Sequence, residues 1–136
     1  MINSYNAQRE AIENYFKQAW NSETPVLWNN SRQAPPKTGS WIRVTILNGI
    51  ANAVSIGQTS VHRNEGLVQV QIFAKKGTGT KVLYDLADIV VNIFSQKQID
   101  SIQFRVPEVI DVGEIEEFYQ INVACSFYRN RIHVKS

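Results

Sequence analysis

The stretch GLVQVQIFAKKGTGTKVLYDLADIVVNIF, residues 66–94, decides the fold, because its hydrophobic period changes along its length. In residues 66–74 the apolar Val68, Val70 and Ile72 alternate with polar residues, which is typical of a strand with one buried face. From about Lys81 to Ser95 apolar residues recur at three- and four-residue spacing and form a wide stripe, which indicates a well-buried helix. The sequence therefore predicts a strand, a glycine-containing turn and a helix in that order.

Upstream of this stretch the sequence predicts a helix, a long loop and a strand. Apolar spacing indicates an amphipathic helix from about Tyr5 to Trp20, with Ser4 as its cap. Residues 25–28 (PVLW) are a short extended piece. Residues 29–40 are polar and rich in proline and glycine, which predicts a long loop, and such loops in small domains usually have a function. Residues 41–47 (WIRVTIL) then alternate as a strand.

The remaining segments predict further strands and turns. Residues 53–57 are a short strand candidate, and His62–Gly66 has the composition of a polar turn. Downstream, Ile102–Val106 is a strand candidate, and residues 113–117 (GEIEE) are an acidic turn. Phe118–Tyr128 alternates over eleven residues, long enough to run through the middle of a sheet.

This order predicts an α+β fold, with two main helices packed on one face of a mostly antiparallel or mixed sheet of four to six strands. The expected organisation is one domain over residues 1–136, with the long loop at 29–40 and a short polar C-terminal tail at 130–136. The other sheet face carries many amide and hydroxyl side chains, so it is expected to face water or another subunit.

Composition excludes several classes of protein. The chain has 136 residues, of which 43% are hydrophobic and 19% charged, as in an ordinary globular domain. No apolar run approaches the roughly 20 residues that cross a bilayer, and the N-terminus has no signal-peptide pattern. The net charge is only +2 and the basic residues are scattered along the chain, so no specific nucleic-acid partner is expected. These features predict a protein made in a cytoplasm and not bound to a membrane.

The motifs that could bind phosphate or metal, or act as a nucleophile, all have simpler structural explanations. KKGTGTK, residues 75–81, lacks the spacing of a phosphate-binding loop and is interpreted as a strand-to-helix connection with Thr80 as helix cap. His62 and His133 have no neighbours at metal-ligand spacing. The single cysteine, Cys125, lies on the apolar face of the last strand and is expected to be buried. We therefore predict no catalytic residue, no cofactor and no metal.

The strand, turn and helix of residues 66–94, with WIRVTIL and the final FYQINVACSFYRNRI, residues 118–132, resemble the phage tail terminator-like family, of which the lambda tail terminator is the familiar member. The resemblance spans about Ala11 to Ile132. It implies a non-enzymatic subunit that assembles, commonly as a hexameric ring, on the head-proximal end of the tail tube. Such a ring ends tube polymerisation and joins the tail to the head. The implied partners are further copies of the chain, the tail tube protein and head–tail connector or neck proteins. The implied location is the virion tail, after assembly in the host bacterial cytoplasm.

A closed ring needs two different complementary patches on each subunit. Trp41 is a large aromatic residue on the polar face of its strand, beside the long loop, and this position favours a subunit contact. The charge pattern suggests a second type of subunit contact, in which the basic Lys75, Lys76 and Arg105 meet the acidic turn of a neighbour. The candidate subunit or tube contacts are Arg32, Lys37, Trp41, Lys75, Lys76, Arg105, Glu114, Glu116 and Glu117.

Two alternatives stay open from the sequence. A head-closure or neck protein of the phage connector is also small and ring-forming. A non-enzymatic module that binds a small ligand or nucleic acid would need a concave pocket or a basic surface.

Overall fold

A computed structural model describes residues 2–36, 39–53 and 59–134. This part of the chain forms two helices and a seven-stranded mixed sheet, so the fold is α+β as predicted, with more strands than the expected four to six. The elements are α1 (Tyr5–Trp20), β1 (Val26–Trp28), β2 (Trp41–Ala53), β3 (Thr59–Lys75), α2 (Lys81–Phe94), β4 (Gln98–Ile99), β5 (Ile102–Phe104), β6 (Glu108–Ile115) and β7 (Phe118–Val134).

The two helices form where the apolar spacing predicts them. The Ser4 side chain accepts a hydrogen bond from the backbone N–H of Ala7 at 3.0 Å, which caps α1 as expected. Asn21, in the left-handed region at φ 51°, ends that helix. Thr80 holds the cap position of α2 but makes no side-chain capping bond, so that part of the prediction is wrong.

The sheet is built around its last strand. β7 pairs antiparallel with β3 along the whole of both strands, and on its other side it pairs with β5 and then β6. β2 pairs with the far side of β3, and the short β1 lies parallel to β2 at the edge. The sequence prediction that the last strand runs through the middle of the sheet is confirmed.

Both helices pack on one sheet face, which we call the core face. The ring of Phe16 from α1 stacks on that of Phe94 from α2, with centroids 5.7 Å apart. Phe94 in turn contacts Phe104, and Phe104 contacts Phe127 of β7. All four rings are fully buried, so a continuous aromatic chain joins the helices to the centre of the sheet.

A buried polar network extends this core past the helices. The Arg129 Nε of β7 donates to the Gln8 side chain of α1 at 2.8 Å, and Gln8 donates to Asn48 of β2 at 2.9 Å. Arg129 also donates to the Ile2 carbonyl oxygen at 3.4 Å. These bonds fix the N-terminal helix against two strands that are far apart in the sequence.

Three predicted turns and tails are strand instead. His62–Gly66 belongs to β3, where its backbone pairs with β2 on one side and β7 on the other. Residues 113–115 belong to β6, and only Glu116 and Glu117 form the turn. The predicted polar tail at 130–136 continues β7 as far as Val134. Strand pairing overrides polar composition at all three places.

The other boundaries need small changes. The strand predicted at 102–106 is β5 and ends at Phe104. Of the strand predicted at 53–57, Ala53 belongs to β2 and the rest lies outside the described residues, as does Lys37 of the long loop. Residues 29–36 contain no helix or strand, in agreement with the predicted loop.

Candidate assembly surface

The structure brings five of the candidate contact residues to one end of the sheet, which we call the loop end. The turn after β3 and the turn between β6 and β7 touch, since the Lys76 N–H donates to the Glu117 carbonyl oxygen at 3.1 Å. The Lys76 Nζ also lies 3.6 Å from a Glu114 carboxylate oxygen. Lys75, the last residue of β3, and Glu116, in the turn between β6 and β7, are both exposed. Opposite charges expected to meet across a subunit interface thus lie together within one subunit, and their exposed ion pair contributes little to stability.

Arg105 lies away from this group, and its ionic partner in the structure is Glu65 of β3. Its guanidinium donates to both Glu65 carboxylate oxygens, at 2.9 and 3.1 Å. This hydrogen-bonded cation lowers the pKa of Glu65 below its ordinary value. Within the subunit, Arg105 therefore pairs with Glu65 and not with the acidic turn that the charge pattern suggested.

Trp41 packs inside the subunit, on the face opposite the helices, which we call the back face. Its ring stacks on Phe73 with centroids 4.1 Å apart and meets Phe118 edge-on at 5.7 Å. Leu27 completes this cluster, and Trp41 is only 3% exposed. The ring of Trp41, which suggested a subunit contact, is thus buried in a small second core within the subunit. Its buried indole N–H has no hydrogen-bond partner among the described residues.

Arg32 is exposed in the long loop that joins β1 to β2. The first residues of that loop, Asn29 and Asn30, line a groove of about 460 Å³ between α1 and β2. Trp28, Val44 and Ile46 give the groove an apolar floor. The loop therefore flanks an open concave surface at one edge of the sheet.

β6 is an exposed strand that the sequence pattern did not predict. Seven of its eight residues are exposed and Gly113 is half-buried. In addition to its backbone pairing with β7, the strand is anchored by Asp111, whose carboxylate accepts hydrogen bonds from the hydroxyls of Tyr84 on α2 and Tyr119 on β7, at 3.2 and 3.0 Å. The Asp111 charge and these hydrogen bonds raise the pKa of Tyr84, and the same hydrogen bond raises that of Tyr119. The only sequence signal for this strand is the valine and isoleucine content of EVIDVGEI, which Gly113 and the acidic residues obscure.

The described residues offer little for chemistry. Cys125 is buried as expected, and burial raises the pKa of its thiol to about 11, so the thiolate that would act as a nucleophile is disfavoured. Among the described residues no group of histidine, cysteine or acidic side chains could hold a metal ion. Neither described helix has the length and apolar content to cross a bilayer.

The described residues form a two-helix layer on one face of a mixed sheet, a half-buried polar back face and an edge strand, β6, whose outer side no described strand pairs. The family model for phage tail terminator protein matches residues 8–123. The chain therefore belongs to the phage tail terminator family, a structural family of the phage tail. It is a component of the tail, and membership implies contacts with other tail proteins.

A solved structure without a functional description shares the fold. It has 15% sequence identity, a TM-score of 0.64, and an alignment that covers 93% of this chain and 98% of the other. The search of curated proteins found no match.

Proposed function

We propose that this protein is the ring-forming subunit that caps the tail tube, ends tube polymerisation and provides the surface to which the head joins. The family match carries the proposal, because residues 8–123 include most of α1, all of α2 and six complete strands of the sheet. Six subunits in a ring is the number that the family resemblance implies. The partners would be further copies of the chain, the tail tube protein and the neck proteins of the head.

The geometry supports a contact function in two ways. The back face between Trp41 and the far end of β7 is covered by no described helix and carries rows of amide side chains, among them Gln69, Gln71 and Asn122. Gln120 donates to Asn122 at 2.7 Å, so this polar face is already ordered in the subunit. A pre-ordered polar surface can dock on another protein with little conformational entropy to lose.

The first test is the native mass of the purified protein by light scattering after size exclusion, over a range of concentration and salt. We expect a species near six times the 15.5 kDa subunit mass, or a monomer that shifts towards it as concentration rises. A two-fold dimer that is unchanged over the whole range would contradict the proposed ring.

The second test removes the gene from a phage or prophage that encodes it. Electron microscopy should then show tail tubes of uncontrolled length that lack heads, and a plasmid copy should restore tails of uniform length. Tails of normal length with unattached heads would instead assign the protein to head joining alone.

A further inference from the structure

The subunit presents two open sheet edges on opposite sides, and the first is β6. Val109, Ile110, Val112 and Ile115 are between 41% and 46% exposed, so apolar residues point outward on both faces of this strand. One edge of β6 pairs with β7, and no described strand pairs with the other. Monomeric proteins usually protect such an edge, because unpaired backbone groups beside apolar side chains attract another strand.

The second open edge belongs to β2. Among the described strands, β1 pairs with β2 at Ile42, Arg43 and Val44 only. A backbone hydrogen bond closes each end of this contact: the Ile42 N–H donates to the Pro25 carbonyl oxygen, and the Asn29 N–H donates to the Val44 carbonyl oxygen. Because backbone groups alternate in direction along a strand, those of Ile46 and Asn48 point to the same side, where no described strand lies.

The surroundings of this β2 edge suit an incoming strand. The groove of about 460 Å³ lies beside Val44, Ile46 and Asn48, with α1 as its other wall. Leu47 and Ile50, on the same stretch, are 46% and 71% exposed. On the wall formed by α1, Arg9 is paired with Glu13 at 2.9 Å, so these two charges offset each other.

Charge makes the two edges complementary. Residues 25–53, which include β1, the loop and β2, contain three basic and no acidic residues, namely Arg32, Lys37 and Arg43. Residues 106–117, which include β6, contain five acidic and no basic residues, namely Glu108, Asp111, Glu114, Glu116 and Glu117. Lys76 offsets part of the Glu114 charge, and the segment stays strongly acidic. Unlike edges attract and like edges repel, which favours a head-to-tail contact over a two-fold one.

We infer that the β6 edge of one subunit pairs with the open β2 edge of the next, so that the ring closes through sheet edges. The occupant of the groove is a second copy of this chain. Backbone pairing supplies affinity, the apolar residues of β6 fill the groove beside Ile46, and the charges set the direction of the contact. This inference rests on the proposed ring and specifies which surfaces close it.

Paired cysteines test the contact directly. Leu47 and Ile110 both lie on the back face, where residues of paired strands come within disulfide distance. Leu47→Cys is combined in turn with Glu108→Cys, Ile110→Cys or Ile115→Cys to scan the register. Under oxidation at least one pair should give a covalent ladder up to the closed ring, whereas each single variant stays monomeric on a denaturing gel. The native Cys125 is buried and adds no background.

The matched control is Leu47→Cys with Asn92→Cys, since Asn92 is exposed on α2 and belongs to neither edge strand. If light scattering shows the ring but no β6 pair forms the ladder, the inference is overturned and the proposed function stands. If single variants cross-link into dimers, the contact is two-fold and the inference is also wrong. If no variant and no wild-type protein forms a ring, the proposed function fails and the inference fails with it.

Charge reversal provides an independent test with a built-in rescue. One variant carries Glu108→Lys, Glu116→Lys and Glu117→Lys, which leaves residues 106–117 with three basic and two acidic side chains, and the other carries Arg32→Glu and Arg43→Glu, which leaves residues 25–53 with two acidic and one basic. Each alone has two edges of like charge, and its assembly should weaken by roughly tenfold or more at low salt. Mixed in equal amounts, they should reassemble, because alternating subunits restore opposite charges at every contact. Rings that form equally well from each variant alone would overturn the inference, and thermal unfolding of each variant checks that it is folded.

Discussion

The two faces of the sheet differ in how they are covered. On the core face, Phe16, Phe94, Phe104 and Phe127 form a chain of buried rings, and the helices exclude water from it. On the back face the described residues form one small apolar cluster around Trp41, beside half-buried polar side chains and the exposed strand β6. The difference predicts that stability and the proposed assembly depend on different surfaces, so mutations should separate the two.

The strongest test of this separation is Phe16→Ala against Ile110→Ala. Phe16 is fully buried between two aromatic rings, so its truncation should lower the free energy of unfolding by about 3–5 kcal/mol. Ile110 is 46% exposed, so its truncation should change stability by less than about 1 kcal/mol while weakening assembly. Urea denaturation and light scattering measure the two effects, and comparable losses of stability would break the comparison.

Gly66→Ala should have the next largest effect. A Cβ at this position would lie 2.3 Å from the Phe127 ring, which is fully buried and cannot move aside. The expected loss is about 2–3 kcal/mol, by the usual cost of overpacking a core. Gly49→Ala is the matched control, because its Cβ would meet nothing closer than 3.5 Å.

A second variant isolates the cause of that loss. In a Phe127→Leu background the shorter side chain removes the clash, so Gly66→Ala should destabilise the protein much less than it does in the wild type. An equal loss in both backgrounds would show that the strand requires glycine for another reason.

Glu65→Gln should have a smaller effect that depends on pH. Arg105 lowers the pKa of Glu65 below its ordinary value of 4.5, so the ion pair stabilises the fold above that pH and the contribution is lost as pH falls through the lowered pKa. Because both side chains are partly exposed, the loss at pH 7 should be no more than about 1 kcal/mol. Denaturation curves from pH 7 to pH 3 should converge for wild type and variant. Glu23→Gln, an exposed position outside the sheet, should show no such pattern.

The smallest effect on the subunit is expected from Glu116→Lys with Glu117→Lys. Both residues are exposed in the turn, so stability should change by less than about 0.5 kcal/mol. Assembly should weaken by a few-fold at low salt, and the difference should disappear at about 1 M salt, where charges are screened over roughly 3 Å. Unchanged assembly at low salt would remove these two residues from the contact surface.

Sequence periodicity was sufficient for the elements that lie on the core face. Both helices and the central strands repeat apolar residues at their own period, because one side of each is buried against the same core. Periodicity does not identify a strand when both of its faces are buried or both are exposed. His62–Gly66 has a turn's composition, yet it is paired on both sides, and Gly66 is required by the Phe127 ring that covers it. β6 is exposed on both faces, so no alternation marks it.

The candidate contacts show the same limit. The neighbourhood of Lys76 and the acidic turn could be guessed from charge, because both lie in turns beside paired strands. The partner of Arg105 could not be guessed in this way. Glu65 is 40 residues away in the sequence, and only the register of β3 on β7 brings it close to Arg105. Trp41 was placed correctly on the polar face, but its partners Phe73 and Phe118 come from two other strands. Sequence indicates which side a residue faces, and register decides which residues it meets.

The central position of β7 also fixes the order in which the protein can fold during synthesis. Every strand that β7 joins, namely β3, β5 and β6, leaves the ribosome before it. Until residues 118–134 emerge, β5 and β6 have no place in the sheet, and the anchor of α1 on Arg129 does not exist. Such long-range pairing is slow and comes late in folding. An incomplete chain therefore lacks the acidic edge strand altogether, so the proposed ring would accept finished subunits only.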